Sequence, residues 1–167
     1  AVQGPRPTIG APRQQTIPTV KIADVVGWQN GAKPTPAAGL AVTAFASGLD
    51  HPRWLYELPS GDVLVAETNR PPSKGGGGFV GWGQGLLFKK AGAATPTANR
   101  ITLLRDADGD GVAEVKTPFL TGLNSPTGMA LVGDWFYVAN TDALVRYRYT
   151  PGATKITGQP ETIVRYP

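Results

Sequence analysis

Apolar and polar residues alternate in short bursts along much of the chain, and turn signals close each burst. "RWLYEL" (53–58) and "DVLVAE" (62–67) meet at a Gly-Asp turn, and so do "GMALV" (128–132) and "WFYVAN" (135–140). Alternation over five or six residues on either side of such a turn predicts an antiparallel hairpin. Two more strand candidates follow each hairpin, "NRITLLRD" with "AEVKTPFL" and then "ALVRYRY" with "ETIVRYP". The expectation is four strands per unit and two units.

The units are copies of one pattern. "FASGLDHPRWLYELPSGDVLVAETN" (45–69) aligns with "FLTGLNSPTGMALVGDWFYVANT" (119–141), the offset being 74 from Phe45 to Phe119 and 73 from Val65 to Val138. Both carry Phe, a Gly-Leu-x-x-Pro turn, a Gly-Asp turn and a strand ending in Val-Ala. Four-stranded units of about 45 residues at a regular repeat are the signature of β-propeller blades. The fold expected is therefore all-β: about two four-stranded antiparallel β-propeller blades, over residues 42–167.

Composition narrows the chemistry. Twenty-two glycines and 16 prolines in 167 residues oppose long helices. Without cysteine there are no disulfides, thiolate metal sites or catalytic thiols, and a single histidine, His51, removes multi-histidine metal sites within the chain. Any metal is then held by oxygen. No apolar run approaches the length of a membrane-spanning helix. Residues 1–41 are Pro-rich and aperiodic, an expected extended arm. The first residues lack Met and suit an exported, periplasmic protein whose signal peptide has been removed, or equally an artificial start.

Oxygen ligands are concentrated in "RDADGDGVAE" (105–114), between the third and fourth strand candidates of the first unit. With Asp106 as position 1, carboxylates fall at 1, 3, 5 and 9 (Asp106, Asp108, Asp110, Glu114), and Val112 at position 7 offers a backbone carbonyl. Calcium takes six to eight hard oxygens, and a glycine after the third aspartate lets a loop curl around the ion. Position 12, where an EF-hand places its bidentate glutamate, is Thr117. The stretch is therefore a shorter hairpin calcium loop with a role in stabilising the turn, or a solvated Asp-Gly turn.

Other candidates are sparser. His51 and Arg53, at the turn before the first hairpin, would face the ligand-binding end of a propeller channel and could touch a substrate or cofactor. The second copy has Ser125 and Thr127 there, so the fold itself needs no histidine. The Gly-rich insertion 70–99, bordered by Arg100, has five basic residues with that border (Arg70, Lys74, Lys89, Lys90, Arg100), no acidic one and an apolar centre, "FVGWGQGLLF". It reads as a long surface loop, or as a flap docking on an anionic membrane surface or an acidic partner. No phosphate loop is present, and the basic residues lack the strand-borne aromatic pairs of a nucleic-acid-binding sheet.

Taken in order, "SGLDHPRWLYELPSGDVLVAET", "ANRITLLRDADGDGVAEVKTPFLTGLNSPTGMAL" and "DWFYVANTDALVRYRY" resemble the glucose/sorbosone dehydrogenase family, closest to its L-sorbosone dehydrogenase branch. The resemblance implies a six-bladed quinoprotein propeller that oxidises sugars or aldoses with pyrroloquinoline quinone (PQQ) and passes the electrons to an external electron acceptor, beside which a membrane-facing insertion 70–99 would place it. It also implies that the general base and most quinone contacts come from later blades, so no catalytic residue is assigned within 1–167. Gln84 in "GQGLLF" is similar to a cofactor-side glutamine of that family. Two blades cannot close a ring, so the remaining blades are expected from the same polypeptide or a second chain. The alternative is a non-enzymatic, carbohydrate-binding propeller in which three two-blade chains close one ring.

Overall fold

A computed structural model describes residues 27–69 and 97–167. Every regular element among them is a strand. β1 (Pro52–Glu57), β2 (Val63–Glu67), β3 (Arg100–Arg105) and β4 (Val115–Leu120) form one sheet in that order. β5 (Gly128–Val132), β6 (Trp135–Ala139), β7 (Ala143–Arg148) and β8 (Glu161–Arg165) form the second. All neighbours are antiparallel, so each sheet is an up-and-down, blade-like meander. Residues 27–41 contain no strand and are exposed. No described helix is long and apolar enough to cross a membrane.

Strand position explains strand sequence. The central strands β2 and β3 of the first sheet are buried along most of their length, which suits the near-continuous apolar runs of "VLVAE" and "ITLLR". Pro118, which has no N–H to donate, sits on the edge strand β4.

The sequence repeat is a backbone repeat. His51 and Ser125, at matching places, both adopt left-handed φ, 49° and 46°. Gly48 and Gly122, the glycines that open the Gly-Leu-x-x-Pro turns, have φ of 66° and 69°. The bulges also match: the register shifts between Ile101 and Thr102 in the first sheet and between Leu144 and Val145 in the second. Phe45 O accepts from Ala113 N at 2.8 Å, as Phe119 O accepts from Ile156 N at 3.0 Å.

The main core lies between the sheets. Leu58, Leu64, Ala66, Ile101, Leu103 and Leu120 from the first meet Met129, Phe136, Val138, Val145 and Tyr147 from the second. Phe119 stands edge-on to Phe136 with ring centroids 5.4 Å apart, and Tyr56 contacts the same ring at 6.3 Å. The Tyr56 hydroxyl accepts from the Leu131 amide at 2.9 Å and so fixes the two sheets in register. The other face of the first sheet carries Leu55, Val63, Val65 and Leu104, which line a groove of about 420 Å³ with Phe45 and Leu49.

Candidate functional site

The acidic loop joins β3 to β4, as its position between strand candidates predicts. Its carboxylates are held by the loop's own amides: Asp106 accepts from Gly109 N at 2.6 Å and Gly111 N at 2.9 Å, and Glu114 accepts from Ala107 N at 2.7 Å. Asp108 accepts from Asp110 N at 3.2 Å and Asp110 from Val112 N at 2.8 Å. The Gly111 amide leads the contacts that lower the Asp106 pKa; slight burial opposes them, and the Gly109, Asp110 and Asp108 amides add to the lowering. Val112 thus joins the loop through its N–H.

One oxygen from each of Asp106, Asp108, Asp110 and Glu114 lies within 4.8 Å of the others. Calcium–oxygen distances of about 2.3–2.6 Å put opposed ligands about 5 Å apart, so this spread fits a single coordination sphere. Four convergent carboxylates repel one another unless a cation lies between them. The donor set therefore fits a hard cation.

His51 and Arg53 are not brought together. His51 lines a cleft of about 1220 Å³ with Trp28, Asp50, Thr97 and Arg100. Arg53 opens instead onto the groove beside Leu55 and onto a crevice of about 360 Å³ between the two turns, lined by Trp54, Thr68, Asn69, Ser125, Thr127 and Thr141. Residues two apart on a regular strand share a face, but His51 has left-handed φ and the β1–β2 register shifts between Pro52 and Trp54. Gln84 lies outside the described residues, as do Arg70, Lys74, Lys89 and Lys90 of the insertion.

Two buried carboxylates escape a motif search. Glu67, at the end of β2, is fully buried and accepts from Arg100 Nε at 2.9 Å and Nη2 at 2.8 Å, and from the Thr102 hydroxyl and the Asp50 amide. Burial alone would raise its pKa, but these hydrogen bonds and the Arg100 charge together hold it below the ordinary glutamate value. Asp62 is held low chiefly by Arg105, at 2.6 and 2.8 Å, against its burial and with help from Ser60. Arg100 also reaches Asp50 at 2.9 Å. Its charge is engaged by Glu67 and Asp50. The one signal in the sequence is that Glu67 stands where the second copy has Asn140.

The matching family model spans residues 59–157, from the β1–β2 turn past β7, and is described as a domain of unknown function, DUF7133. The chain belongs to the DUF7133 family. The DUF7133 match takes in six of the eight strands, the acidic loop, Asp62 and Glu67. No curated protein and no solved structure matches the chain.

Proposed function

We propose that the chain supplies the first two blades of a PQQ-dependent sugar or aldose dehydrogenase, a reading that rests on its resemblance to the glucose/sorbosone dehydrogenases. The observation that carries it is the pair of repeated four-stranded meanders with an acidic hairpin loop in the first. The described residues do not themselves fit the quinone: Arg100 is committed to Glu67 and Asp50, and Arg53 and His51 line different cavities. The quinone, the general base and the sugar are therefore assigned to the further blades. The 167-residue chain alone, given PQQ, calcium and an aldose, is expected to reduce no dye, because a base within hydrogen-bond reach of the hydroxyl is required. Turnover that disappears in His51→Ala would place the base in this chain and overturn that division. The reading itself is tested on the assembly captured from its source through this chain: it is expected to yield extractable quinone and aldose-dependent dye reduction, and absence of both sinks it.

The acidic loop is assigned as a structural calcium site. Calcium at a hundredfold excess over its Kd stabilises a folded state that alone binds it by about 2.7 kcal/mol. Chelation is expected to lower the Tm by several degrees, and Asp108→Ala to remove the difference between chelated and calcium-loaded protein. Identical melting curves for the wild type in the two conditions would return the loop to an ordinary turn.

A further inference from the structure

The interface between the two sheets shows what each open face is built to meet. In the repeat, Leu55 corresponds to Met129, Val63 to Phe136, Val65 to Val138 and Leu104 to Tyr147, as the strand registers require. The outer face of the first sheet is therefore the counterpart of the face that the second sheet buries against the first. Likewise Leu58 corresponds to Val132, Ile101 to Leu144 and Leu120 to Val164, so the outer face of the second sheet is the counterpart of the face the first sheet buries.

Exposure follows this division at the sheet margins, whereas Val65 and Leu104 in the middle of the first sheet's outer face are already buried, 0% and 2% exposed. Met129 is 9% exposed and Leu55 64%; Leu58 is 1% exposed and Val132 62%; Leu120 is 5% exposed and Val164 45%. Positions buried inside the pair have apolar counterparts left open outside it. Phe45, which corresponds to Phe119, already lies along the groove on the outer face of the first sheet, as Phe119 lies against Phe136 between the sheets.

We propose that the 167-residue chain associates head to tail, the outer face of β1–β4 of one copy packing on the outer face of β5–β8 of the next and repeating the contact already made within the chain. Such a contact is heterologous: it joins two different surfaces and propagates until a ring closes. Further blades of the dehydrogenase reading would take the same two faces, so the proposal concerns the 167-residue chain by itself, and its readout is mass and not activity.

Sedimentation of the chain over a wide concentration range is expected to show species at two or more times the 17.5 kDa chain mass. Leu55→Asp blocks one face and Val132→Asp the other, at exposed positions that a carboxylate leaves folded. Each variant alone is expected to be monomeric. Mixed, they retain one competent face each and are expected to form a 1:1 dimer that grows no further, which also shows that both are folded. A wild-type chain that is monomeric throughout overturns the proposal and leaves the faces to sheets of another sequence. A mixture that stays monomeric while the wild type assembles overturns it too, since the contact is then not head to tail.

Discussion

Phe136→Ala is expected to lower folding stability by about 3–5 kcal/mol, the range for truncating a buried aromatic. Phe136 is fully buried where the two sheets meet, edge-on to Phe119 and in contact with Tyr56. Truncation removes the ring's apolar burial, two aromatic contacts, each worth about 0.5–1.5 kcal/mol beyond area, and the filling between the two sheets. A domain is stable by only about 5–15 kcal/mol, so the variant should lose a large fraction of that margin. The measurement is the urea midpoint, with Leu40→Ala in the exposed strand-free segment as a control expected to move stability by no more than about 0.5 kcal/mol. Equal small shifts for both variants would mean that the sheets are not packed through this ring.

Glu67→Ala is expected to cost about 3 kcal/mol, the lower end of the cost of breaking a buried ion pair. The lower end applies because Arg100 is partly exposed and keeps Asp50. The loss also leaves the Thr102 hydroxyl and the Asp50 amide without their acceptor. The pH dependence follows from the lowered pKa values of Glu67 and Asp62. A carboxylate whose folded pKa lies below its unfolded value binds its proton more readily in the unfolded chain. Its stabilisation is fully present above the unfolded value, near 4, and is lost as pH falls through the folded value. Wild-type Tm should therefore fall steeply below about pH 4, and Glu67→Gln should flatten part of that limb. A variant whose acid limb parallels the wild type would show that Glu67 is not held in its charged form.

Strands, hairpins and the repeat were legible in the sequence because they are written in local terms. Alternation over "RWLYEL" or "WFYVAN", a Gly-Asp turn and a Gly-Leu-x-x-Pro turn each act within a few residues, and the observed strands begin and end within two residues of those expectations. The acidic loop was legible for the same reason: its carboxylates are four members of one nine-residue stretch, and amides from that stretch hold them together.

What only the tertiary structure decided involves residues far apart in the chain or a break in the local period. Glu67 reads as the polar end of a strand, yet it is buried, because Arg100, 33 positions on, is placed beside it by the β2–β3 pairing. His51 and Arg53 read as one site but face different cavities, since a left-handed residue and a bulge interrupt the alternation that would have aligned them. Which face of each sheet is core was likewise undetermined by alternation alone. Val65 and Val138 are equally apolar and occupy the same place in the repeat, and only the order of stacking puts Val138 in the core between the sheets and Val65 on the outer face.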